Sequence, residues 1–195
     1  MSGLVAVACA TVFMTPAPAG ATQDPEATRA EAGRHCVATP GDQKPTCYDT
    51  FRESVAAATG GRITDAPVTP QKAALDRKFL DKMNAPARKA GSRTVTGSSN
   101  TMAGVLYEHG GSRAGRTLIL NTHYTCGSGT ELGYLNLGSS FYQFNDITSA
   151  VLTGSGCKVE LFEHIHFEGA RQTYSGSVDL VGSAMNDRAS SLLIS

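Results

Sequence analysis

Two stretches of the chain repeat the same order of residues, and this internal repeat limits the available folds more than any other feature. Residues 106–109 (LYEH) match residues 161–164 (LFEH), and residues 145–152 (NDITSAVL) match residues 186–193 (NDRASSLL). Each unit therefore opens with aromatic-Glu-His and closes with Asn-Asp-x-x-Ser before an apolar run. A duplicated unit of this kind predicts two similar halves that share one core, rather than a single asymmetric catalytic centre.

Short apolar runs dominate the part of the chain that carries the repeat. They lie between Val105 and Ile194, and Gly- and Ser-rich segments separate them. Such runs are typical of short strands joined by tight turns, whereas a helix needs a longer segment with a 3.6-residue period. We therefore predict a mainly β, sandwich-like domain over residues 102–195.

The residues before this domain divide into four segments. Met1–Ala21 lacks charged side chains, contains an apolar run and ends in Ala-Gly-Ala. This pattern predicts a signal peptide and hence a secreted protein, with a short buried helix as the alternative. The apolar run is too short to span a bilayer, so no membrane association is expected after cleavage. The other three segments are a mobile leader (22–35), a disulfide hairpin followed by two helices (36–86), and a linker (87–101).

The two helices are predicted from their boundary signals. Thr50 and Glu53 form a capping-box pattern, and Gly60 follows the end of the first helix. The second helix is expected to begin at Thr69-Pro70, with Pro at the first helical position. Its predicted apolar stripe consists of Leu75, Phe79, Leu80 and Met83. We expect this segment to be poorly cored and to carry no active site.

Cysteine usage agrees with export. Removal of Cys9 with the signal peptide leaves four cysteines: Cys36, Cys47, Cys126 and Cys157. An even number in an exported chain predicts disulfides, and four cysteines allow three pairings. We favour Cys36–Cys47 and Cys126–Cys157, because each pair falls within one segment. A zinc-thiolate site is disfavoured because no Cys-x-x-Cys spacing occurs.

Charge and motif content disfavour several classes of function. The formal net charge is zero, so nothing indicates a nucleic-acid partner or an anionic membrane surface. The sequence contains neither Gly-x-Ser-x-Gly nor a P-loop, and we predict a protein without enzymatic activity. His164 and His166 could belong to a transition-metal site, but no third ligand at a suitable spacing accompanies them.

The repeat resembles the βγ-crystallin family. The unit of that family is a Greek key with aromatic-x4-aromatic-x-Gly in its first hairpin and Asn/Asp-Asn/Asp-x-x-Ser/Thr-Ser in a later loop. The second unit matches both motifs, with Phe162, Phe167 and Gly169 in the hairpin and residues 186–191 in the loop. The resemblance implies a double Greek-key β-sandwich. The first unit departs from the pattern, as the following substitutions show: Ser112 for the second aromatic, Ala114 for the glycine with Gly115 one place late, and Ala150 for the last serine.

The resemblance also implies Ca²⁺ binding. The donors expected from it are the carbonyl groups of Ile147 and Arg188 and the hydroxyl groups of Ser149 and Ser190. A carboxylate or amide is expected from Asn145/Asp146 or Asn186/Asp187, and the backbone carbonyl of Glu108 or Glu163 is expected from the partner motif. Such oxygen donors suit a hard cation, and few formal charges per site predict modest affinity. The alternative is a loop that caps a turn without an ion.

A second resemblance concerns the whole layout of the chain. The signal peptide, the cysteine hairpin and the segment 58–67 (ATGGRITDAP) before a crystallin-type domain are similar to exported actinobacterial proteins of the streptomycete metalloproteinase inhibitor type. This resemblance implies an alternative function, a peptidase inhibitor with a secreted protease as partner. The inhibitory loop would be residues 127–134, next to Cys126.

Overall fold

A computed structural model describes residues 35–42, 44–85, 101–124, 126–138 and 143–195. The predicted signal peptide, all but the last residue of the predicted leader, and all but the last residue of the predicted linker lie outside the described residues. Within the described part of the chain, no helix is long and apolar enough to cross a membrane.

The described chain is mainly β. Its strands are β1 (His35–Ala38), β2 (Thr46–Tyr48), β3 (Thr101–Tyr107), β4 (Thr117–Thr122), β5 (Leu132–Tyr134), β6 (Ala150–Thr153), β7 (Lys158–His164), β8 (Glu168–Ser175), β9 (Ser177–Val178) and β10 (Ser191–Ile194). Its helices are α1 (Phe51–Ala58), α2 (Pro70–Leu75) and α3 (Arg77–Asn84). A 3₁₀ turn, Ile165–Phe167, joins β7 to β8.

The strands form two sheets that exchange one strand between the repeat units. The first sheet has the order β2-β1-β4-β3-β6-β9, and the second has the order β5-β10-β7-β8. Strand β9 belongs to the second unit but pairs with β6 of the first, while β5 belongs to the first unit but pairs with β10 of the second. This arrangement confirms the predicted mainly β, double Greek-key sandwich.

The main core lies between the two sheets. Successive side chains of a strand point to opposite faces of its sheet, so every second side chain can enter this core. Leu106, Leu118 and Val151 of the first sheet pack in one buried cluster with Leu161 and Leu192 of the second. The predicted disulfide between Cys126 and Cys157 is present at the edge of this cluster, where Cys157 is buried.

The N-terminal segment is built onto the first sheet. Strand β1 pairs in parallel with β4 and antiparallel with β2. The second predicted disulfide, Cys36–Cys47, is also present and joins two residues that face each other in the β1–β2 pair. Helices α1 and α3 cover the outer face of the sheet, where Phe51 and Met83 are buried in one cluster with Ile119. The sequence predicts a poorly cored segment, and the structure instead gives it a core shared with β3, β4 and β6. The reason is that the outer face of this sheet carries apolar side chains, among them Ile119 and Leu152, which the helices remove from water.

The predicted helix boundaries are confirmed for α1 and corrected for the second helix. Thr50 and Glu53 form the capping box, with both reciprocal hydrogen bonds present. The second predicted helix is divided into α2 and α3 at Asp76, whose side chain accepts a hydrogen bond from the Phe79 amide and begins a new helix. The break removes Leu75 from the apolar stripe, and its side chain is 85% exposed.

Candidate metal centre

The two Asn-Asp loops of the repeat lie against each other. The Asp146 amide donates to the carbonyl of Ala189 at 3.0 Å, and the Asp187 amide donates to the carbonyl of Thr148 at 3.1 Å. The two loops are therefore joined by equivalent backbone hydrogen bonds in opposite directions. The strand exchange explains this proximity, because each unit contributes a strand to the sheet of the other.

The side chains of the loops also pair across the units. The Ser149 hydroxyl donates to Oδ1 of Asp187 at 2.9 Å, and the Ser190 hydroxyl donates to Oδ1 of Asp146 at 3.4 Å. Each of the two positions thus combines a hydroxyl from one unit with a carboxylate from the other. Both serines are buried, whereas both carboxylates lie at the surface.

The hairpins at the start of each unit reach the same two positions. The Ser149 amide donates to the carbonyl of Tyr107, and the Ser190 amide donates to the carbonyl of Phe162, both at 2.9 Å. Glu108 and Glu163 are the next residues along the hairpins. The sequence prediction takes the Glu carbonyl from the partner motif, and that assignment stays a prediction. Each Glu adjoins the serine of its own unit, and it is the carboxylate that comes from the partner unit.

The side chain of each hairpin Glu is engaged within the protein. The Glu108 carboxylate accepts hydrogen bonds from the Arg116 amide at 2.8 Å and from its guanidinium at 3.1 and 3.2 Å. Burial raises the pKa of Glu108, but these bonds outweigh burial and leave the pKa below its usual value. The Glu163 pKa is also lowered, by the Ala170 amide and by an ion pair with Arg188. The backbone carbonyl groups, rather than these carboxylates, are therefore the donors that the hairpins could offer.

The two asparagines of the loops orient the carboxylates that follow them. The Asn186 side-chain amide donates to Oδ2 of Asp187 at 2.7 Å, and Asn145 makes the same contact with Asp146. Both aspartates adopt left-handed backbone conformations, with φ of 53° at Asp146 and 54° at Asp187. Asp is one of the few residues that tolerate this region. Asn145 and Asn186 thus lie in the predicted site as supports for the carboxylates.

The first hairpin is one residue longer than the second and uses Gly115 in place of Gly169. Both glycines have φ of 80°, and a Cβ at either would approach the hairpin Glu and the neighbouring His. With the hairpins aligned on these glycines, Arg113 stands where the second unit has Phe167. Phe167 packs on Phe162 with ring centroids 5.5 Å apart, and the Arg113 guanidinium lies 5.6 Å from the centre of the Tyr107 ring.

This role of Arg113 was not predicted from the sequence, because the aromatic-x4-aromatic spacing places Ser112 at the position of the second aromatic. Arg113 is buried, with 3% exposure, and forms an ion pair with Asp179 just after β9. A cation–π contact and an ion pair therefore replace the aromatic pair of the second unit. The late glycine was the signal in the sequence that could have located this residue.

The donor set at the two paired loops suits a hard cation. Each position brings together one carboxylate, one hydroxyl and nearby backbone carbonyl groups, which are the oxygen ligands that Ca²⁺ takes in proteins. Among the described residues, neither Asp146 nor Asp187 forms an ion pair with a cationic side chain. The residues present therefore fit a cation that would occupy the surface between the paired loops and the hairpins.

Transition-metal chemistry has less support. In the described ranges, no group of three or more His, Cys, Asp or Glu side chains is arranged to hold a metal ion. His164 ends β7 and His166 lies in the following turn with φ of 61°, and both are exposed. The His pair identified in the sequence is therefore part of a surface hairpin.

The loop assigned to protease inhibition is only partly free of regular structure. Leu132–Tyr134 forms β5 and pairs with β10, which leaves 127–131 as the exposed segment beside Cys126. The Tyr134 hydroxyl donates to the carbonyl of Ala38 at 3.3 Å and so ties the end of β5 to β1.

Comparisons with known proteins give matches among solved structures alone. No protein-family model and no curated protein matches the chain. A double mutant of a βγ-crystallin domain from Clostridium beijerinckii shares 26% identity, covering 48% of this chain and 97% of that domain, with a TM-score of 0.40. A βγ-crystallin domain from Flavobacterium johnsoniae shares 21% identity, covering 48% of this chain and 93% of that domain, with a TM-score of 0.37.

A third solved structure contains a metal. It is a clostrillin double mutant in complex with nickel, with 26% identity, 48% of this chain and 98% of that chain covered, and a TM-score of 0.38. The protein is thus similar, over about half of its length, to bacterial βγ-crystallin domains.

Proposed function

We propose that the protein is a non-enzymatic, βγ-crystallin-type module that binds Ca²⁺ and gains stability from it. The observation that carries the proposal is the pair of crossed contacts, Ser149 with Asp187 and Ser190 with Asp146. At each position, a buried hydroxyl and a surface carboxylate from another loop bring together two oxygen atoms of the kind that a hard ion binds.

The ligands divide into two sets. The first site would use the carbonyl groups of Glu108 and Ile147, the hydroxyl of Ser149 and the carboxylate of Asp187. The second would use the carbonyl groups of Glu163 and Arg188, the hydroxyl of Ser190 and the carboxylate of Asp146. The role of the carbonyl groups as donors rests on the resemblance to βγ-crystallins. The grouping of each hairpin Glu with the serine of its own unit rests on the backbone hydrogen bonds beside it. The pairing of each hydroxyl with the partner unit's carboxylate rests on the side-chain hydrogen bonds.

Bound Ca²⁺ would supply a positive charge that holds the loops and hairpins together. One carboxylate per site favours a dissociation constant of about 10⁻⁵ to 10⁻³ M. An ion that binds only the folded protein adds about 1.4 kcal/mol at ten times its dissociation constant. For a chain of this size, that corresponds to a rise in melting temperature of roughly 3–6 °C per site.

Thermal melting of the full chain tests the proposal. We expect Ca²⁺ to raise the melting temperature relative to EDTA, and Ser190→Ala to reduce that rise by about half, because one of the two sites loses a donor. Ser175→Ala is the matched control, since Ser175 is an exposed serine on β8 away from the loops. Identical melting curves in Ca²⁺ and in EDTA would refute the proposal.

We also propose that the protein is secreted. The predicted signal peptide and the two disulfides support this location, because disulfides persist mainly in oxidising compartments. The zero net charge gives no reason to add a nucleic-acid or membrane partner.

Inhibition of a secreted peptidase is the alternative function. The exposed segment 127–131, anchored by the Cys126–Cys157 disulfide, is the feature that supports it. Glycines at 127 and 129 have positive φ and open surroundings, which is unfavourable for the rigid loop that a protease cleft requires. A screen against secreted metallo- and serine proteases at micromolar protein tests this alternative, and absence of inhibition would exclude it.

A further inference from the structure

The two loops differ at their third position, and the difference involves charge. The first loop has Ile147 there and the second has Arg188, which is the single cationic residue in either six-residue motif. The Arg188 guanidinium forms an ion pair with the Glu163 carboxylate, with side-chain exposures of 49% and 21%. The pair joins the two residues whose backbone carbonyl groups belong to the second proposed site.

In the first unit, an arginine at a different position neutralises the charge of the hairpin Glu. The amide that donates to the hairpin carboxylate is that of Arg116 in the first unit and that of Ala170 in the second, so these two residues occupy equivalent positions. Arg116 also supplies the guanidinium that pairs with Glu108. The compensating arginine therefore lies on the hairpin in the first unit and on the ion-binding loop in the second.

This exchange of positions has an electrostatic consequence. At the second site, the charge of Glu163 is neutralised by a residue of the loop that would hold the cation. Without Arg188, the Glu163 carboxylate would lose that partner and would attract a divalent ion at the adjoining carbonyl groups. Without Glu163, the Arg188 guanidinium would lose its counter-ion and would repel the ion. Both charges lie at the surface, so their effects are reduced by solvent and salt but not removed.

We propose that Arg188 is an affinity-determining residue that weakens divalent-cation binding at the second site by neutralising Glu163. The inference rests on the proposed Ca²⁺-binding function. It assigns to the Arg188 side chain a role separate from that of the Arg188 carbonyl, and it makes the second site tunable by a single ion pair.

Calorimetric titration of the full chain with CaCl₂ tests the inference, with Ser149→Ala as the parent so that the second site alone remains intact. We expect Arg188→Gln to bind Ca²⁺ roughly 3- to 10-fold more tightly and Glu163→Gln to bind it more weakly by a similar factor. The double variant should return close to the affinity of the parent, because both charges are then absent. These opposite signs are the signature of the ion pair.

Lys158→Gln is the matched control. Lys158 is exposed at the opposite end of β7 from Glu163, so this variant loses one positive charge without changing the ion pair. Its Ca²⁺ affinity should equal that of the parent. Melting in EDTA gives a second readout, in which Arg188→Gln should lose only the small contribution of a half-exposed ion pair.

Two results would overturn the inference. One is an unchanged or weaker affinity in Arg188→Gln when the parent binds Ca²⁺. The other is a double variant as tight as Arg188→Gln, because the effect would then not act through Glu163. Absence of Ca²⁺ binding in the wild-type chain would instead refute the proposed function, and the inference with it.

Discussion

The glycines of the second unit allow a direct test of how the hairpin beside the second site is built. Gly169 has φ of 80°, and a Cβ there would lie 2.8 Å from Cδ2 of His164 and 3.1 Å from the Cβ of Glu163. Gly176 has φ of 76°, and nothing lies within 4 Å of the corresponding position. Substitution by alanine therefore introduces the same backbone strain at either position, but Gly169→Ala also brings the new Cβ against neighbouring atoms.

The magnitude follows from these two contributions. A left-handed conformation costs a residue with a Cβ about 1–2 kcal/mol. The exposed His164 ring can turn towards solvent, whereas the Cβ of Glu163 is fixed to its strand, so overpacking adds about 1–2 kcal/mol for Gly169→Ala. We expect Gly176→Ala to lose about 1–2 kcal/mol and Gly169→Ala about 2–4 kcal/mol of unfolding free energy. In melting temperature, the losses are roughly 2–8 °C and 4–16 °C.

Equilibrium unfolding in urea and thermal melting, both in EDTA, measure the two losses without a contribution from Ca²⁺. The comparison of the variants cancels the effect of alanine on the unfolded chain, because both replace a glycine. Equal losses of stability in the two variants would refute the argument that close packing around Glu163 requires glycine at position 169.

Three further perturbations test other parts of the structure. Met83→Ala should cost about 2–5 kcal/mol in urea unfolding, with one transition retained, because Met83 is fully buried in the cluster that α3 shares with the first sheet. Replacing Cys126 and Cys157 by serine should cost about 3–4 kcal/mol, since the disulfide closes a separation of 31 residues. The lowered pKa of Glu108 means that its bonds to Arg116 stabilise the fold above the unfolded pKa of about 4.3, and this contribution is lost as the pH falls through the folded pKa. The difference in stability between wild type and Glu108→Gln should therefore shrink below about pH 4 in acid titrations, and a difference that stays constant would contradict the assignment.

The repeat was sufficient to predict much of the fold. A duplicated unit with short apolar runs indicates two packed sheets, because strands of this length must bury one face against another sheet. Local signals of fixed spacing were equally reliable: the capping box of Thr50 and Glu53 and both disulfides are present.

Features that depend on distant parts of the chain could not be predicted in the same way. The parallel pairing of β1 with β4 joins residues 82 positions apart, His35 and Thr117, and no local pattern specifies it. The helix break at Asp76 was not predicted. Thr69-Pro70 and Asp76 can each begin a helix, and no local pattern shows that both of them do.

The sequence yields a set of candidate site residues, which stays a prediction, but not the way in which their side chains pair. Resemblance identified the loop residues, yet it did not show that each carboxylate faces the serine of the other unit. That geometry arises from the exchange of β5 and β9 between the sheets. Arg113 was missed because an insertion of one residue moved it into the place of an aromatic side chain, and a cation over a ring has no fixed sequence pattern.

The proposed Ca²⁺ sites are best tested by calorimetric titration of the full chain with Ca²⁺, with Asp146→Asn/Asp187→Asn as the comparison. We expect the wild-type chain to bind two ions, with dissociation constants of about 10⁻⁵ to 10⁻³ M, and the double variant to bind neither. Absence of binding by the wild-type chain at millimolar Ca²⁺, or undiminished binding by the double variant, would contradict the proposal.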